Sequence, residues 1–235
     1  ANKSMPEPEI TFINQLNKTY SFDNFVSGHC NRKALNAAKR FLNTTAQSPN
    51  PLIILGGTGT GKTHLLQAIG NVYKENDKSS GVLYIGIYDF INELLKQLKR
   101  DNQITIERSL EHLEFLLIDD LHLIEGKERT QSEFIRLLYS LKSKGVKIVL
   151  GTNKAIKKLM IEKSLFLLDS NSIVKLTIPD FQTKIRILRQ YAKTHGGILS
   201  CDELELIASG RYKGIRELIG AFNKAALCRQ LTAIL

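Results

Sequence analysis

The stretch "GGTGTGKTH", Gly56–His64, follows the apolar run "PLIIL" (51–55) and leads into "LLQAIGNVY" (65–73). A strand, a glycine loop ending in Lys-Thr, and a helix is a local order built to hold phosphates. Gly56, Gly61, Lys62 and Thr63 satisfy the spacing G-x-x-x-x-G-K-[ST]. In such a loop successive backbone N–H groups turn toward anionic oxygens. The helix that follows adds its positive N-terminal end. Gly57, Thr58, Gly59, Thr60 and Gly61 are therefore expected to line a triphosphate. Lys62 is expected to reach its terminal phosphates, and the Thr63 hydroxyl to ligate Mg²⁺.

The second half of such a site is an acid at the end of another buried strand, and "FLLIDD" (115–120) supplies it. Asp119 is expected to hold Mg²⁺ through water. Asp120 either polarises the attacking water or only caps the loop. If it polarises water, an aspartate in a place often held by glutamate points to slow hydrolysis, which suits a switch. "VLGTN" (149–153) ends a further strand, where open parallel sheets bind ligands. Thr152 or Asn153 either senses the γ-phosphate or performs ordinary turn chemistry. In "KGIRELIG" (213–220), Arg216 stands near a helix start, with Ile215, Leu218, Ile219 and Phe222 on the apolar side. It could reach the nucleotide and report closure, or be a surface arginine.

Five short apolar segments, 51–55, 82–87, 114–119, 146–151 and 173–178, read as strands buried on both faces. Helical stripes alternate with them, such as Phe134, Leu137, Leu138 and Leu141. This predicts an α/β fold, a parallel sheet with helices on both faces. Asn31 is the expected N-cap of a helix over 31–42. After Pro179 the strands cease. Asp180 can cap a helix that stops at Gly196-Gly197, and two more helices follow. We expect a nucleotide domain over 1–178 and a helical domain over 179–235.

The charge is +10, from 33 basic and 23 acidic residues, which fits a polyanion such as DNA or RNA as partner or, since no dense basic block occurs, surplus lysines that only solvate the surface. Cys30, Cys201 and Cys228 are far apart, and no CxxC spacing occurs. They read as free thiols in a reducing compartment. No apolar run approaches the roughly 20 residues that span a bilayer. The N-terminus lacks a signal pattern, so the expected location is the cytoplasm.

Four stretches in this order resemble the AAA+ domain of the bacterial chromosomal replication initiator DnaA: "YSFDNFVSGHCNR" (20–32), "NPLIILGGTGTGKTHLLQAIGN" (50–71), "LLIDDLHLIEGKERTQSEF" (116–134) and "GIRELIGA" (214–221). The resemblance covers nearly the whole chain. It implies a P-loop αβα sandwich with a five-stranded parallel sheet and a small three-helix lid, binding ATP or ADP with Mg²⁺. It places Phe25, Val26 and Gly28 near the adenine and includes His64 in the loop. It matches Asn153 and Thr152 to sensor 1 and Arg216 to sensor 2. The segment 88–111 looks like the family's helical insert. By position, Leu95, Lys127, Arg129 and Thr130 would line a path for single-stranded DNA. Read without the resemblance, "GKERT" (126–130) is a solvated charged turn. Expected partners are single-stranded DNA, other DnaA-type subunits, and a replicative helicase or its loader.

Two departures from the family pattern stand out. The segment 160–176, "MIEKSLFLLDSNSIVKL", holds no arginine, where the family carries one that reaches the neighbouring subunit's ATP site. Lys163 lacks the planar fork that clamps a phosphate. The family's C-terminal helix-turn-helix domain and N-terminal helicase-contact domain have no counterpart in these 235 residues. A regulator or loader that caps initiator assemblies, and a small-molecule phosphotransferase, remain alternative expectations.

Overall fold

The computed structural model describes residues 12–45, 50–76, 81–98, 110–153, 172–197 and 199–232. Its sheet has five parallel strands in the order β2-β3-β4-β1-β5. They are β1 (Leu52–Gly56), β2 (Gly81–Gly86), β3 (Leu113–Asp119), β4 (Lys147–Thr152) and β5 (Ile173–Leu176). Side chains alternate between the two faces of a strand, and both faces are covered. Ile53, Leu83, Ile85, Leu116, Ile118, Ile148 and Leu150 enter one core with helices α3 (Ile87–Leu98) and α4 (Glu128–Ser143). Leu52, Ile54, Val82, Tyr84, Phe115, Leu117 and Val149 enter the other with α1 (Arg32–Leu42) and α2 (Lys62–Asn76). The continuous apolar runs in the sequence have this cause.

Two expectations need correction. Segment 173–178 is a strand only as far as Leu176, and of its four residues only Leu176 is buried. It is the edge strand beside β1, so only its inward positions had to be apolar. Asn31 precedes α1 but makes no side-chain cap. Its amide is committed to the preceding loop, where Oδ1 accepts from Gly28 N at 2.8 Å and Nδ2 donates to Val26 O at 2.9 Å.

The last three helices, α5 (Phe181–His195), α6 (Cys201–Ser209) and α7 (Ile215–Thr232), pack around a third cluster centred on Leu188, Leu218 and Phe222. Asp180 caps α5 as expected, its Oδ1 accepting from Thr183 N at 2.9 Å. Ser200 and Glu203 form a reciprocal capping box on α6. Of the expected insert, α3 is described, while 99–109 lie outside the described residues.

At the other sheet edge, residues 12–17 run along β2. Gln15 N donates to Tyr84 O at 2.9 Å. The Asn14 side chain takes the adjoining positions, Nδ2 donating to Val82 O at 2.6 Å and Oδ1 accepting from Tyr84 N at 3.0 Å. Phe12 stacks on Phe90 beneath.

Candidate functional site

β1 lies between β4 and β5, so the strand order reverses at its C-terminal end, where open α/β sheets hold ligands. The loop 57–61 leaves β1 at this point. Gly59 (φ 73°) and Gly61 (φ 97°) adopt the left-handed region that glycine permits. Thr60 is buried and its hydroxyl donates to Gly57 O at 2.8 Å, closing the loop on itself.

Lys62 opens α2 and is only 6% exposed. Its Nζ donates to Gly57 O at 3.0 Å, so the ammonium is folded back over the loop. Burial pushes its pKa down. Asp119 and Asp120 oppose that shift, and the Arg216 guanidinium adds to it. Four side chains that the sequence spreads over the chain thus share one electrostatic neighbourhood.

Strand pairing brings Asp119 to the same place, since β3 ends level with Gly86 of β2. Asp119 is 3% exposed, and its carboxylate is held by three donors. Thr63 Oγ1 donates to Oδ2 at 2.6 Å, Tyr84 OH to Oδ2 at 3.2 Å, and Asp120 N to Oδ1 at 2.8 Å. Asp120 has φ 56° and ψ 35° and makes no side-chain cap to the 3-10 turn Leu121–Ile124. Its carboxylate is exposed, 3.9 Å from His122 Nδ1. Asn153, just past β4, keeps a buried Oδ1 with no hydrogen-bond partner among the described residues. Thr152 is fully buried.

A cavity of about 580 Å³ opens beside Gly61. Phe25, Val26 and His64 line one wall, and Ile187, Tyr191 and Ile215 the other. His64 Nε2 faces two acceptors, Ser21 O at 3.0 Å and Asn24 Oδ1 at 2.8 Å, and therefore carries the proton. Burial pushes its pKa down. Gly28 does not line this cavity. Its backbone packs against Thr183, whose Oγ1 would lie 2.2 Å from a Cβ at 28. Gly28 is thus a docking point for α5.

The N-terminus of α7 rests directly on the glycine loop. Ile215 N donates to Gly59 O at 2.6 Å, and a Cβ on Gly214 would meet Thr58 O at 2.5 Å. The exposed Arg216 follows in the same turn.

The second candidate surface is looser. Leu95 is 42% exposed on α3, Lys127 and Arg129 are exposed at the start of α4, and Thr130 is half-buried. α3 packs against the 3-10 turn that precedes Lys127.

A glycine loop closed by Lys62, a strand-end acid hydrogen-bonded to Thr63, and a helix resting on the loop are the arrangement the resemblance implies. Residues 16–166 match the family described as Bacterial DnaA ATPase domain. The chain belongs to that family. Among DnaA relatives, the chromosomal replication initiator protein DnaA of Microcystis aeruginosa is 34% identical over 221 residues, 93% of this chain and 50% of that one. The chain thus spans about half the length of the curated DnaA relatives it matches. Domain III of the Thermotoga maritima replication initiation protein DnaA superposes with a TM-score of 0.81 at 32% identity, covering 93% of this chain and 92% of that one. A replication initiator DnaA bound to AMPPCP and single-stranded DNA gives a TM-score of 0.76 at 28% identity, covering 89% and 65%. Two features of this DnaA-family fold escaped sequence reading. Tyr84 passed as another strand apolar residue, although its period-2 face is that of Asp119. Gly214 carried no signal beyond a helix start.

Proposed function

We propose that the chain is the nucleotide-switch part of a DnaA-type initiator. It binds ATP or ADP with Mg²⁺ between the sheet and the last three helices, which act as a lid over 179–235. The observation that carries this reading is the contact of α7 with the glycine loop, Ile215 N to Gly59 O. Any change in the loop on filling with phosphate bears on the lid through main-chain atoms, and Arg216 adds a charge facing the same place. The adenine takes the cavity beside Phe25, Val26 and His64.

The donor set fits Mg²⁺. Magnesium keeps several waters and uses one or two protein oxygens plus phosphates. Thr63 Oγ1 and Asp119, already 2.6 Å apart, supply that much. The ion, when bound, neutralises charge on the β- and γ-phosphates. In this reading Lys62 would hold the phosphates, Asp119 would hold the ion through water, and Asp120 and Asn153 would align the attacking water. Hydrolysis is slow in this reading, and the nucleotide acts as an assembly switch.

Tyr84 is a positioning residue in this scheme, since its hydroxyl fixes Asp119 from the buried side. Groups behind a metal ligand commonly matter about 10–100-fold for affinity. Tyr84→Phe should therefore weaken the Mg²⁺ dependence of ATP binding about tenfold and leave Mg²⁺-free binding unchanged. A Mg²⁺ titration followed with a fluorescent nucleotide reads both; identical titrations for the two proteins remove Tyr84 from the scheme.

Single-stranded DNA is the proposed second ligand, along α3 and the start of α4. Contacts to single-strand phosphates each contribute a log–log salt slope of about −0.7. Lys127→Ala with Arg129→Ala should flatten the slope for an oligo(dT) strand without changing ATP affinity. An unchanged slope would place the strand elsewhere. Calorimetry with ATP is the decisive test of the whole reading: a folded protein that takes up no adenine nucleotide refutes it.

A second reading, a DnaA-like regulator or helicase loader that caps initiator assemblies, is favoured by one observation, the absence of arginine from 160–176. Light scattering with ATP separates the two, because self-propagating assemblies exclude a cap.

A further inference from the structure

Two helices of this fold carry no carboxylate at all. α1 reads "RKALNAAKRFL" and α5 reads "FQTKIRILRQYAKTH". The apolar side of α1 is spent on the core through Ala34, Leu35, Ala37 and Ala38. What remains outward is Arg32, Lys33, Asn36, Lys39 and Arg40, all exposed. On α5, Gln182, Arg186, Arg189 and Lys193 form the exposed stripe, at the i, i+4, i+7, i+11 spacing of one helix face. Among the described residues none of these seven cations is in an ion pair. On other helices Lys96, Arg136 and Arg229 each pair with a glutamate, whereas Arg129 and Lys224 are, like the seven, in no ion pair among the described residues.

The two helices approach each other at their N-terminal ends. Gly28, four residues before α1, packs on Thr183 in the first turn of α5. The Cys30 thiol, raised mainly by burial and then by Asp180, is pulled back by Arg186. Arg186 Nη2 donates to Thr183 Oγ1 at 3.2 Å, and Thr183 is the residue packed on Gly28, so Arg186 lies at the approach to α1. The carboxylate at this junction, Asp180, is occupied in capping α5, accepting from both Thr183 N and Thr183 Oγ1. Asp23, in the loop before α1, is in no ion pair among the described residues. Lys39 lies over the Phe22 ring, which steadies its stem without neutralising it.

We infer that the outer faces of α1 and α5 are a docking surface for the phosphate backbone of duplex DNA. The surface is a rigid row of cations. The pairs Arg32/Lys33 and Lys39/Arg40 are about 10.5 Å apart along the helix, comparable to a major groove about 12 Å wide. Single-strand sites add aromatic platforms for unstacked bases, and no stripe position is aromatic. Protein interfaces centre on aromatic and apolar groups, and interfacial membrane helices bury an apolar face in lipid. The apolar face of α1 is already buried. The inference does not depend on nucleotide binding, and it names a surface separate from Leu95 and Lys127.

Two variants test it, Lys33→Ala with Arg40→Ala and Arg189→Ala with Lys193→Ala, each on the whole chain. Binding to a short mixed-sequence duplex, an oligo(dT) strand and phosphatidylglycerol-containing vesicles is measured over a range of salt. For the parent protein we expect duplex binding whose log–log slope each variant flattens by about 0.9 per cation removed, with roughly tenfold lower affinity. ATP binding and the circular-dichroism melt should not change, which excludes misfolding as the cause. Arg40→Lys with Arg189→Lys should retain the parent slope. The inference is overturned if the parent binds no duplex, if both variants keep its slope, if the same losses occur only with oligo(dT), or if only vesicles are bound.

Discussion

Lys62→Ala should lower affinity for adenine nucleotides by about a hundredfold or more, while the ligand-free protein melts close to the parent. The side chain is almost wholly inside, yet among the described residues its ammonium donates only to Gly57 O, and Asp119 and Asp120 favour its charge from a distance. A triphosphate would offer that ammonium oxygens of full negative charge. A hundredfold loss corresponds to about 2.7 kcal/mol, within reach of a hydrogen bond between charged groups, about 1.5–3 kcal/mol. Without nucleotide, removing Lys62 also removes the cost of burying a charge, so stability should move little. Isothermal calorimetry and a melt give the two readings. Full-strength binding by the variant would mean that the loop is a structural turn.

Gly214→Ala should weaken nucleotide binding about tenfold and cost stability as well. A Cβ there would lie 2.5 Å from Thr58 O and 2.9 Å from Gly59 Cα. Both are main-chain atoms of the loop, which have no rotamer to retreat into. Either α7 lifts off the loop and breaks the bond from Ile215 N to Gly59 O, or the loop deforms around its ligand. Overpacking of this kind costs about 1–3 kcal/mol. Gly220→Ala, on the same helix, is the matched control, because a Cβ there meets nothing within 4 Å. It should leave binding alone and add roughly 0.5–1 kcal/mol, the usual gain from replacing glycine inside a helix. If Gly214→Ala binds as tightly as Gly220→Ala, lid and loop are not coupled.

Features carried by local spacing were readable in the sequence. The loop needed only eight consecutive residues, and the strands needed only unbroken apolar runs, because a sheet covered on both faces cannot alternate. The Asp180 cap and the Gly196 stop on α5 were equally local. What could not be read came from register and docking. Tyr84 reaches Asp119 because β2 pairs in parallel with β3, Tyr84 level with Leu117, and Asp119 is the next residue on that face. Nothing near Tyr84 in the chain announces this. Gly28 was assigned to the adenine by resemblance, but the close approach of α5 is what demands a glycine there. Asn31 misled for a similar reason, since a residue type that caps helices here ties down the preceding turn. The arginine-free stretch 160–176 falls largely outside the described residues.

The short run of residues 12–17 along β2 has a consequence for how the protein behaves when shortened. An open strand margin is a template on which another chain can zip itself. Here Asn14 uses its side-chain amide to imitate a peptide unit, and Gln15 supplies the adjoining real one. A version trimmed beyond Asn17 would leave Val82 O and both main-chain groups of Tyr84 with no protein partner. Its failure in solution would be sticking to copies of itself, well before any loss of the ability to hold phosphate.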